Sequence, residues 1–187
     1  DRLDDSRIIY HFLYTLISVF TLLAAGWICA RCSKACVDFA LFYRRFSLGY
    51  LPLCAFLFIL QFFLLRTFGN IFVTANSVPF RGEIYCLWYY AKTGTLSFST
   101  ALHSAGNVLY FTSLSLALCG TVRRRPMLWG TLVPVALSVF VESFQLLTKS
   151  GDADVDDIIL NTLGAVLGVL IFRLLLRPLL QKETRIC

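Results

Sequence analysis

The chain has 187 residues, of which 58% are apolar and only 15% charged, and its mean hydropathy is +0.73. A soluble domain carries about 25% charged residues, so this composition excludes an ordinary water-soluble fold and implies a protein that lives in a membrane. The net charge of +6 does not point to nucleic acid, because the basic residues sit in short clusters between apolar runs, where they orient membrane helices rather than track phosphates.

A bilayer core is crossed by about 20 apolar residues in a helix. In chain order the sequence predicts five such spans, at 9–30, 48–68, 101–119, 127–147 and 156–176, because only helices or closed barrels satisfy their backbone groups in lipid and these runs do not alternate as strands do. The expected fold is therefore an all-α, polytopic membrane bundle. The first span is too long, and its leader (D-R-L-D-D-S-R) too acidic, for a signal peptide. It is read with its basic loop as an additional N-terminal unit over 1–47, ahead of a membrane domain over 48–176 and a basic tail over 177–187.

Orientation follows from the arginines and lysines. Arg31, Lys34, Arg44, Arg45, Arg123, Arg124, Arg125, Arg173, Arg177, Lys182 and Arg185 fall on one side of such a bundle, eleven in all, against six on the other. The richer side faces the cytoplasm, which places the N-terminus outside, the C-terminus inside, and the protein in the cell membrane as a multi-pass chain. Between the second and third spans, 69–100 is long for a hairpin. It carries Tyr85, Trp88, Tyr89 and Tyr90 on a short amphipathic stretch, 83–92, suited to the membrane interface as an anchor, with a lid over an amphiphile as the alternative. Of the seven cysteines, Cys29, Cys54 and Cys119 read as small core residues. Cys29, Cys32 and Cys36 lack the second paired cluster that a zinc site needs, and the exterior Cys86 does not make a disulfide framework.

With this topology the unusual polar residues gather at the outer rim. Glu142 and Gln145 are three apart, so they share a helix face. Asp157 and Asn161 are four apart and do the same across a short turn, and His103 and Asn107 repeat that spacing near the start of the third span. The turn itself carries Asp152, Asp154 and Asp156, any of which suits a helix N-cap. Ionisable groups at a membrane rim are costly unless paired or turned to a cavity, so the set marks a site beyond simple interhelical bonding. Gly164 and Gly168 form a G-x-x-x-G pair that permits close helix approach. The acidic run begins like an EF-hand, but Asp157 stands where glycine is needed and Leu163 where the bidentate glutamate is needed, so that motif fails; a looser divalent-ion site stays open as an alternative. No P-loop, nucleophile elbow or dinucleotide fingerprint occurs, and no cofactor or resident metal is expected.

Asn76-Ser77-Val78-Pro79-Phe80, Gly106-Asn107-Val108-Leu109-Tyr110-Phe111, Glu142-x-x-Gln145 and Asp154-Val155-Asp156-Asp157-x-x-x-Asn161-x-x-Gly164 stand in a fixed order. That ordered set resembles the VanZ-like family, with N-L-x-P-F, N-V-x-x-F, E-x-x-Q and D-x-D-D-x-x-x-N-x-x-G over about 70–176. Ser77 replaces the usual leucine, and Ser150 and Gly151 replace an arginine often found before the acidic run. The resemblance implies a small bacterial membrane protein, whose family namesake is linked to low-level resistance to teicoplanin. That drug carries an acyl chain and binds the peptide termini of cell-wall precursors. Partners implied are membrane lipid and either a lipoglycopeptide antibiotic or a lipid-linked cell-wall precursor. The binding residues expected are Asn76, Arg81, Asn107, Glu142, Gln145, Asp154, Asp156, Asp157 and Asn161. An enzyme modifying a lipid-linked envelope component is the competing reading, with Glu142, His103 and Asp157 as acid/base candidates.

Overall fold

A computed structural model of the chain describes residues 42–55, 75–94, 98–148, 153–178 and 180. The elements are α1 (42–55), β1 (Ala75–Asn76), α2 (Arg81–Thr93), α3 (Phe98–Thr121), α4 (Pro126–Thr148), β2 (Ala153–Asp154) and α5 (Val155–Ile171), which runs on into a wider π-helical turn over Phe172–Leu176. The first expected span, 9–30, lies outside the described residues, as do the second beyond 55, the turn residues 149–152 and the end of the tail.

The three later spans expected from hydropathy are all present as helices, each extending one to three residues further at its N-terminal end. Among the described residues, Pro126–Thr148 and Val155–Leu176 are long and apolar enough to cross a membrane. Their outward faces carry Leu128, Trp129, Leu132, Val139, Phe140, Leu163, Val166 and Leu170. Exposed apolar surface on this scale is a liability in water and costs nothing against lipid tails. The aromatic segment expected over 83–92 is helical too. Phe80 enters it at a φ of 60°, and Gly94 ends it in the left-handed conformation, its N–H bonding the Tyr90 carbonyl.

One boundary differs. The chain is already helical at 42, where its description begins, so Arg44 and Arg45 ride on a helix rather than a loop. The reason is packing: Tyr43, Phe46, Ser47 and Tyr50 recur at three- and four-residue spacing. The Tyr43 ring stacks 6.4 Å from Phe172 and its hydroxyl donates to the Leu116 carbonyl at 2.6 Å. Tyr50 donates to Ser113 Oγ at 2.7 Å, and Tyr110 donates to the Cys54 carbonyl at 3.2 Å. Contacts that climb α1 while descending α3 make the two antiparallel.

The most extensive contact is between α3 and α5. Thr112 donates to the Gly164 carbonyl at 3.0 Å and Ser115 to that of Ala165 at 2.9 Å, so numbering rises together and the two helices are parallel. Between them α4 runs antiparallel. Small residues permit this approach. A Cβ added at Gly168 would lie 2.6 Å from the Thr112 carbonyl oxygen and 2.7 Å from Ser115 Cβ, and one at Gly164 would strike the Val108 carbonyl. The G-x-x-x-G pair therefore permits the close approach its spacing implied, and the helix it seats is α3. Cys54 and Cys119 are both buried, in the two apolar clusters that flank this seam.

Pro134 lies fully buried inside α4. It has no N–H, so the carbonyl of Gly130, four residues earlier, loses its helical partner. Ser115 supplies the replacement, its single hydroxyl proton shared between that carbonyl at 2.8 Å and the Ala165 carbonyl at 2.9 Å. Unsatisfied backbone groups in an apolar interior are costly, so Ser115→Ala should lower stability by about 1–2 kcal/mol, and more than Thr131→Ala on α4, whose hydroxyl bonds within its own helix. Thermal unfolding of the detergent-solubilised protein checks the comparison.

Candidate functional site

The antiparallel course of α4 against α3 and α5 brings the start of α3, the end of α4 and the start of α5 to one end of the bundle. The arginines of the α3–α4 turn and Arg173 and Arg177 lie at the other. A two-residue parallel pairing completes the polar end, with Ala75 opposite Ala153 and Asn76 opposite Asp154. This strand pair joins the segment before α2 to the turn before α5, a link of 78 residues that no local pattern announces.

Side chains lock the junction. Asn76 Nδ2 donates to Asp154 Oδ1 at 2.9 Å and to Asp156 Oδ2 at 3.3 Å, while its own carbonyl oxygen accepts from the Val78 N–H at 3.2 Å. Asp156, buried at 3% exposure, takes the Phe80 N–H with its other oxygen. Asp154 is the N-cap of α5, accepting from the Asp156 N–H at 2.9 Å. Of the three aspartates suited to that cap, the fold uses Asp154. Removing Asn76 leaves two carboxylates short of a donor, so Asn76→Ala should cost about 1–2 kcal/mol and free the segment before α2. Faster cleavage near Val78 under limited proteolysis is the expected readout.

A second group lies beside the first. Asp157 Oδ1 accepts from Asn107 Nδ2 at 2.7 Å and pairs with His103 Nε2 at 3.0 Å. The His103 side chain is 42% exposed and that of Asp157 21%, so the imidazole opens outward while the carboxylate orients it from below. A carboxylate-held imidazole of this kind is suited to general acid/base work or to recognition of a polar group. Among the described residues this is the one ion pair.

Glu142 is buried on α4 and reaches across to the turn, where its Oε2 accepts from the Asp154 N–H at 2.8 Å. It lies within electrostatic reach of Asp157, Asp154 and His103. One turn deeper, Asn161 donates through Nδ2 to Ser138 Oγ at 2.9 Å, while its Oδ1 and the Oε1 of Gln145 are buried without a partner.

Eight of the nine expected binding residues therefore stand at this end. Asn76, Asp154 and Asp156 form the strand-pair lock, Asn107 and Asp157 hold His103, and Glu142, Gln145 and Asn161 line α4 and α5 beneath. The ninth, Arg81, is exposed at the start of α2 and, among the described residues, makes no ion pair with the acidic groups. Two participants were not expected. Ser138 is four residues before Glu142, so helical spacing would have found it. The Phe80 N–H, being backbone, left no sequence signal. Among the described residues no three His, Cys, Asp or Glu side chains converge as metal ligands.

The fold and the site together define a helical, membrane-associated protein with one rim built from carboxylates, amides and an imidazole. Residues 39–176 match the family model described as VanZ/LLP1, and the chain belongs to that family. The match begins upstream of the four motifs and takes in α1. No curated protein and no solved structure matches the chain.

Proposed function

We propose that the chain is a multi-pass membrane protein of five spans, with its N-terminus outside and its C-terminus in the cytoplasm. It lowers sensitivity to lipoglycopeptide antibiotics such as teicoplanin through the polar rim, which faces the outer leaflet. The observation that carries this reading is the meeting of all four family motifs in one hydrogen-bonded array, opposite the basic end of the bundle. An acyl-bearing drug and a lipid-linked precursor both meet the cell at that depth.

Expression in a glycopeptide-susceptible Gram-positive host tests the reading. The inhibitory concentration of teicoplanin should rise, and that of a glycopeptide without an acyl chain should stay near its starting value. No rise in a host that carries the protein in its membrane would end the proposal. A second reading, an enzyme acting on a lipid-linked envelope component, draws on the half-exposed His103 held by Asp157. It predicts a changed mass spectrum of envelope lipids and precursors, which pure binding does not.

A further inference from the structure

The polar rim holds far more acceptors than donors. Glu142, Asp154, Asp156 and Asp157 contribute four carboxylates, yet no Lys or Arg pairs with any of them among the described residues, and His103 is the one titratable base in contact. Both oxygens of Asp156 are taken, by Asn76 and the Phe80 N–H, but the hydrogen bonds among the described residues use one oxygen of each of the other three. Asp157 is engaged through Oδ1, Glu142 through Oε2 and Asp154 through Oδ1. Asn161 supplies an independent sign. It is 6% exposed, and its amide is held by Ser138 while its carbonyl oxygen has no donor. Side chains on a helix lean toward its N-terminus, and the N-terminus of α5 is where the carboxylates stand, so Asn161 leans into the acidic rim from beneath. The Gln145 carbonyl oxygen, buried and also without a donor, adds to the deficit on the α4 side.

A buried acceptor without a donor is costly, and uncompensated carboxylates at a membrane rim add to that cost. The group that would complement such a rim is a cation that is also a multiple donor. A metal ion is disfavoured, since among the described residues the carboxylates do not converge as ligands. A protonated primary amine fits: it carries one positive charge and three N–H donors on a single compact atom. From this geometry we infer that the rim between Glu142, Asp157 and Asn161 is a recognition site for a primary ammonium group. The inference rests on the rim being a binding site, as proposed above, and adds the chemistry of what it selects. The ammonium belongs either to an aminophospholipid headgroup or to an amine-bearing peptide or drug. In each case the amine enters the acidic rim, and Arg81, exposed next to Phe80, is placed for an adjoining anionic group.

The test uses the full chain in phosphatidylcholine nanodiscs, titrated with a fluorescent long-chain alkylamine and with its N-acetyl derivative, which keeps the chain and loses the charge. The amine should bind about tenfold or more tighter, a difference of about 1.4 kcal/mol or more. In Glu142→Gln and Asn161→Leu that preference should shrink toward parity. Equal binding of amine and amide by the unaltered protein overturns the inference without reference to any variant, and so does a preference that survives Glu142→Gln in a protein of unchanged melting temperature. Competition by phosphatidylethanolamine nanodiscs, or by a soluble lysine-bearing peptide, supports the site and assigns the source of the amine. Failure here is separable from failure of the resistance reading. Protection from teicoplanin without amine preference sinks only the inference, and amine preference without protection sinks only the resistance role.

Discussion

Cells expressing Asp157→Ala should be as sensitive to teicoplanin as cells without the protein, although the variant should still reach the membrane. Asp157 is the shared acceptor of Asn107 and His103, so its removal releases both side chains at once and takes a negative charge from the rim. The structural cost is limited because its neighbours are partly exposed and can turn to water. Losing two side-chain bonds of this kind costs about 1–3 kcal/mol, which a bundle seated on α3 and α5 should survive. Asp157→Asn separates geometry from charge, since the amide oxygen still accepts from Asn107. If protection needs the negative charge, the asparagine variant fails like the alanine one; if it needs only an oriented imidazole, much protection should persist. Inhibitory concentrations read beside immunoblots of the membrane fraction decide this, and full protection in Asp157→Ala removes the rim from the function altogether.

Gly164→Leu and Gly168→Leu should act through the bundle instead. The α3–α5 seam brings the backbones of the two helices into direct contact, and even a Cβ at Gly168 meets a carbonyl oxygen at 2.6 Å. Helix backbone does not turn aside as a side-chain tip does, so the helices must separate. That separation breaks the bonds Thr112 and Ser115 make to the α5 carbonyls. Overpacking commonly costs about 1–3 kcal/mol, and the lost bonds add to it, so each leucine variant should be recovered at sharply reduced yield with a lowered melting temperature. Leu163→Ala, next to Gly164 but on the exposed face of α5, should be nearly silent. Equal stability of Gly168→Leu and the unaltered chain would show that the seam is looser than these distances require.

Much of this architecture was legible from residues alone, for a physical reason. Lipid admits few solutions for a backbone, so long apolar runs became helices, and Pro126–Thr148 and Val155–Ile171 begin within a residue of where hydropathy placed them. The spacing of Glu142 with Gln145, of His103 with Asn107 and of Asp157 with Asn161 put each pair on one face, because helical periodicity is local. The small residues Gly164 and Gly168 announced a close neighbour without saying which one.

What the chain alone left open was every choice between distant partners. That α3 is the helix seated on Gly164 and Gly168, that Asn76 pairs with Asp154 across 78 residues, and that Ser115 repairs the carbonyl freed by Pro134 are decided only when the helices pack. The helical course of α1 through Arg44 and Arg45 has the same origin: those two residues give no apolar signal, and it is Tyr43 and Tyr50 docking on α3 and Phe172 that hold this stretch in the bundle. Hydrophobicity and periodicity are properties of a segment and can be read along it. Complementarity is a property of pairs, and exists only where tertiary structure has brought the two surfaces together.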